Sequence, residues 1–100
     1  MIKLDSALER IREKYPYLSD EYGVGNIGIF GSVARGTERE DSDIDVVVEF
    51  TQPIGFRFID LVGYLEGILD AKVDVLTKEG IRNIRNKKIA DDIRRKIVYV

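Results

Sequence analysis

"DIDVVVEF", residues 43–50, is the stretch on which the fold turns. Ile44, Val46, Val48 and Phe50 alternate with Asp45, Val47 and Glu49. That period of two predicts a strand with one face turned inward. Asp43 and Asp45 then share the opposite face, their α-carbons about 7 Å apart at a rise of roughly 3.3 Å per residue. Two carboxylates at that spacing repel by about 2 kcal/mol at an effective dielectric of roughly 20. Water offsets this at an exposed strand end; a divalent cation offsets it in a cleft.

The flanking segments fit around this strand. Upstream, "VGNIGIF" (24–30) reads as a short buried strand that Gly31 stops. Ser32 to Arg35 predicts one helical turn, and "GTEREDS" (36–42) an exposed loop. Downstream, Gln52-Pro53 breaks the chain, and Phe58, Ile59, Val62, Leu65, Ile68 and Leu69 form a helical stripe. "KVDVL" (72–76) predicts a third strand, with Thr77 as the N-cap of the next helix and Gly80 at N3. Ile81 and Ile84, then Ile89, Ile93 and Ile97, predict one broken helix or two short ones. The closing "VYV" is a docked tail or a short edge strand.

At the other end, Leu4, Ala7, Leu8 and Ile11 have amphipathic-helix spacing. Asp5 or Ser6 is the expected cap and Pro16 the expected stop, leaving 18–24 as a polar loop. The whole predicts one α+β domain over residues 1–100, a small mixed sheet of three or four strands packed against helices.

Composition narrows the chemistry. The 100 residues include no cysteine and no histidine. Disulfides, zinc fingers, thiol nucleophiles and histidine-based triads are excluded together. Any metal must be held by oxygen, which favours magnesium, manganese or calcium. No apolar run approaches the roughly 20 residues of a membrane span, and the first residues lack a hydrophobic signal region. A soluble, cytoplasmic protein is expected. The net charge of −2 hides an asymmetry: residues 78–100 carry 8 basic and 3 acidic side chains, the rest 8 and 15. The basic segment reads either as a contact for an acidic partner or nucleic acid, or as a solvated helix face.

Gly23, Gly25 and Gly28 match GxGxxG literally. That motif needs a strand before it and a helix after it. Here the order is reversed, and a turn into a strand fits better.

Asp74 lies between Val73 and Val75. If the third strand pairs beside the second, Asp74 joins Asp43 and Asp45; otherwise it faces solvent or pairs with Lys72 or an arginine. Gly31-Ser32 allows close backbone approach to a phosphate, and the adjoining turn aims free N–H groups at an anion. Arg35 and Arg39 lie between the two halves, to touch phosphate or to pair with local acids.

"GSVARG" followed by "SDIDVVV" resembles the signature of the DNA polymerase β-type nucleotidyltransferase superfamily. The similarity is greatest to its minimal members, the MNT-domain proteins paired with HEPN-domain toxins, and extends over nearly the whole chain. It implies the nucleotidyltransferase fold. It also implies that Gly31 and Ser32 bind the β- and γ-phosphates of a nucleoside triphosphate, and that Arg35 and Gly36 shape the loop. Asp43 and Asp45 would hold magnesium ions, with Asp74 completing the metal site and helping to activate the attacking hydroxyl.

Three functions are expected from these residues and this resemblance. In the first, AMP passes from ATP to a tyrosine of a HEPN toxin, silencing it, so the chain is an antitoxin enzyme. In the second, the chain masks its toxin without catalysis. In the third, the acceptor is a nucleic acid or small molecule; the acidic balance and the lack of an aromatic-basic stacking surface weigh against this. A second copy of the chain is a further expected partner, as cover for apolar surface on so small a domain.

Overall fold

The computed structural model describes residues 3–35 and 43–100. Helix α1 runs from Leu4 to Tyr22, well past the expected stop at Pro16. Ala7, Leu8, Ile11, Leu18 and Tyr22 are buried along one side of it. A proline inside a helix costs about 3 kcal/mol. Burying Leu18 and Tyr22 returns about 2 kcal/mol each, so the continued helix wins. Residues 18–22 are therefore helix and not a polar loop. Gly23 ends α1 in the left-handed conformation, φ 69°, its N–H bonded to the Ser19 carbonyl at 3.0 Å. Neither Asp5 nor Ser6 is the cap: the N-cap is Lys3, with no side-chain bond. Leu4 packs against the core, so the helix begins there and Asp5 falls in the first turn, at the positive end of the dipole.

Strand β1 is Val24–Phe30 and the short α2 is Gly31–Arg35, both as expected. The predicted loop 36–42, with Gly36 and Arg39, lies outside the described residues. Strand β2 is Ile44–Phe50, helix α3 Arg57–Leu69 and strand β3 Val73–Thr77. Two short helices come next, α4 (Lys78–Arg82) and α5 (Lys87–Arg95), and the chain closes with β4, Val98–Tyr99. Thr77 caps α4, its Oγ1 accepting from the Gly80 N–H at 2.9 Å.

The four strands lie in the order β3-β2-β1-β4. β1 pairs antiparallel with both β2 and β4; β2 and β3 are parallel, with α3 as the crossover. The sheet is thus mixed, and helices cover both faces. On one face Ile44, Val46, Val48 and Val73 meet α1 and α3. On the other, Phe30, Val47 and Ile81 pack with Ala90 of α5.

Two expected core positions are corrected. In α3 the fully buried stripe is Leu61, Leu65 and Leu69, while Ile59 is 74% exposed. In α5 the inward residue is Ala90, and Ile89 is exposed. In each helix an apolar position one or two residues further along the chain is the covered one. Among the described residues, no helix is long and apolar enough to cross a membrane.

Candidate functional site

The acid-bearing rung is built by strand pairing. β2 and β3 run parallel with Asp45 and Asp74 as register partners, one step beyond Ile44 and Val73. Register partners in neighbouring strands stand about 4.8 Å apart and point to the same face. The Ile44 N–H donates to the Lys72 carbonyl at 2.9 Å, which anchors this register at the strand ends. The alternation that buries Ile44, Val46 and Val73 forces Asp45 and Asp74 onto the opposite face, beside Val47 and Leu76. Asp74 is exposed and Asp45 half-buried.

The glycine corner closes on the same rung. Phe30 is the register partner of Asp45 across β1 and β2, so Gly31 comes directly above it. Gly31 has φ 74°, a left-handed conformation that side chains resist. A Cβ at this position would also meet the Asp45 carboxyl group, 3.0 Å from its Cγ. Backbone shape and close approach together explain why glycine is required here. Ser32 and Arg35 come next in α2.

The predicted site residues fall into place unevenly. Gly31, Asp45 and Asp74 meet at one end of the sheet. Asp43 lies one residue ahead of β2, exposed, and so outside the ladder that orients Asp45. Among the described residues no group of three acidic side chains is gathered tightly enough to hold a metal ion by itself. The donor set at the rung is nonetheless all hard oxygen, and Gly31 brings its backbone against the Asp45 carboxyl, where no side chain would fit. Both fit a magnesium-bound polyphosphate.

The same face continues to the other end of the sheet, where sequence reasoning had singled out nothing. Glu49 accepts from the Asn26 amide at 2.9 Å and pairs with Lys78 at 3.2 Å. The Asn26 hydrogen bond, and then Lys78, hold the Glu49 carboxyl below its ordinary value. The alternation Asp45, Val47, Glu49 was the available signal that Glu49 belongs to this face.

The chain matches the family model described as nucleotidyltransferase domain over residues 4–100. A relative from Thermococcus cleftensis, named protein adenylyltransferase MntA, is 40% identical over 84 residues, covering 83% of this chain and 81% of its own. A solved structure provisionally described as a minimal nucleotidyltransferase superposes with a TM-score of 0.73 at 31% identity, covering 97% of this chain and 95% of that one. A second, of a toxin–antitoxin pair named MntA-HpeT in variant form, gives a TM-score of 0.63 at 18% identity, over 98% of this chain and 72% of that one, a likeness of fold. On the family match and the superposition, this chain belongs to the nucleotidyltransferase domain family, among its minimal, MNT-type members.

Proposed function

We propose that this protein transfers AMP from ATP onto a hydroxyl of a partner protein, a tyrosine of a HEPN-type toxin, and acts in the cytoplasm as its antitoxin. The observation that carries the reading is the Asp45–Asp74 pair held in register against Gly31. The adenylyltransferase name of the Thermococcus cleftensis relative supports the choice of AMP, and the toxin–antitoxin neighbour supports the choice of partner.

In this reading the Gly31 and Ser32 backbone receives the β- and γ-phosphates, with Arg35 in the same short helix. Asp43, Asp45 and Asp74 are the residues that hold magnesium or manganese. The bound cations supply charge neutralisation on the attacking and leaving oxygens of an in-line displacement. The acceptor oxygen bonds to the α-phosphorus, the bond between that phosphorus and the α,β-bridging oxygen breaks, and pyrophosphate leaves. In this reading Asp74 accepts the hydroxyl proton, which its exposure on an outer strand supports. Asp45, half-buried beneath Gly31, orients the phosphate side.

The test is incorporation of labelled AMP into the co-expressed toxin with ATP and magnesium. Wild-type protein labels it, and Asp43→Ala and Asp45→Ala lose at least about a hundredfold in rate, the range seen when a preorganised electrostatic contact is removed. If both variants remain as able as wild type to protect cells from the toxin, masking and not catalysis is the function.

A further inference from the structure

One cation stands at the acid rung. The Lys72 carbonyl accepts from the Ile44 N–H at 2.9 Å, a bond of the parallel ladder, so Lys72 lies in line with β3 although the strand itself starts at Val73. Alternation then gives Lys72 and Asp74 one face and the buried Val73 the other. One step before Ile44 and Val73 in this register, Lys72 falls beside Asp43, about 4.8 Å away across the strands. Along β3 its α-carbon is about 7 Å from that of Asp74. A lysine thus takes the fourth corner of a quadrilateral whose other corners are Asp43, Asp45 and Asp74.

The fold does not use this side chain. Lys72 is exposed. Among the described residues the ion pairs are Arg57 with Glu21, Lys78 with Glu49 and Arg94 with Asp91, so the Lys72 ammonium closes on none of its acidic neighbours. What the sheet engages is the backbone carbonyl, a task any residue performs. Gly31 follows β1 and Lys72 precedes β3, on opposite flanks of β2 and about two strand spacings, roughly 10 Å, apart. Asp45 lies between them. With the β- and γ-phosphates at Gly31 and Ser32, transfer at the acids sets the α-phosphate on the side of β3. We propose, resting on the nucleotide reading given above, that Lys72 binds the nucleotide by donating from its ammonium to a non-bridging oxygen of the α-phosphate, the point-charge contact that lysine makes to phosphate. The flexible four-carbon stem carries the head group over the strand ends. A lysine on an outer strand also discourages pairing with the edge of another sheet, but that role involves no phosphate and leaves nucleotide affinity unchanged.

The experiment is isothermal titration calorimetry on the full chain in magnesium, with two ligands. One is α,β-methylene-ATP, which carries the α-phosphate and cannot be cleaved at the α,β bridge. The other is inorganic pyrophosphate, which offers only the groups that the glycine corner would take. Lys72→Ala is expected to bind the ATP analogue about tenfold or more weakly, the size of a lost hydrogen bond to a charged group, and to bind pyrophosphate as wild type does. Lys72→Arg keeps the charge and is expected to recover most of the loss. The melting temperature of Lys72→Ala without ligand should match wild type, because the side chain is exposed. Equal affinity of wild type and Lys72→Ala for the analogue overturns the proposal and leaves the nucleotide reading standing. An equal loss for both ligands also overturns it, since that marks a general effect of charge. A wild type that binds neither ligand overturns the nucleotide reading and this assignment together.

Discussion

Asp45 and Asp74 stand side by side on parallel strands, paired in register one rung from the end of the ladder. Hydrophobic alternation puts them there. The residues that pin the two strands to α1 and α3 are Ile44, Val46, Val73 and Val75, and they leave the aspartates no other face. The apolar core thus holds like charges close together.

Neutralising one member separates fold from ligand. Asp74→Asn is expected to leave the melting temperature within a few degrees of wild type in the presence of EDTA, because Asp74 is exposed. With manganese or magnesium and ATP added, the wild type should gain stability and the variant should gain far less. Differential scanning fluorimetry in the four conditions reads both effects. A wild type indifferent to cation and nucleotide would remove the metal from the proposed site.

Gly31→Ala should damage fold and site together. The left-handed backbone at φ 74° and the neighbouring Asp45 carboxyl both oppose a methyl group. The expected loss is about 2–3 kcal/mol in urea unfolding. A loss below about 0.5 kcal/mol, the range of ordinary surface substitutions, would mean the corner is looser than described.

Pro16→Ala tests the opposite case, a residue that the fold tolerates against local preference. Pro16 is exposed within α1, and its replacement restores a helix N–H and removes a clash. Stability should rise by about 1–3 kcal/mol. A neutral or destabilising result would show that a kink at this point is needed to bring Leu18 and Tyr22 onto the core.

The Glu49 carboxyl titrates below its ordinary value of 4.5 because Asn26 and Lys78 favour its charged form. A depressed folded value means that the contribution is fully present above the unfolded value. It disappears as the pH falls through the folded one. Glu49→Gln should therefore be less stable than wild type at pH 7, and the difference should close on acidification below about pH 4. Chemical denaturation at both pH values measures it; a gap that persists in acid would point to lost packing and not to charge.

Residues were legible in the sequence where their role is local. Val46 and Val48 could be placed because their alternation survives whatever packs on them. Asp74 could be placed for the same reason, once its strand lay beside β2. Thr77 was legible because capping is settled within one helical turn. The end of α1 was not, because the rule that proline stops a helix is local and lost to Leu18 and Tyr22, buried by distant segments. α3 is apolar nearly all round, so choosing Leu61 over Ile59 required knowing where the sheet lies. A groove lined by Phe50, Ile54 and Phe58 was invisible because its walls come from residues 48–54, 58, 77–79 and 82, joined only in space.

β3 is an outer strand, bonded to β2 on one side, with Glu66 supplying one side-chain acceptor to the Val73 N–H at 3.2 Å. Half of the acid rung therefore rides on a segment that frays sooner than β1, which is held from both flanks. Amide deuterium uptake should be faster across 73–77 than across 27–30, and a bound cation and nucleotide should slow the first and spare the second. The affinity of the rung for the proposed cation and nucleotide then includes the work of keeping an outer strand closed.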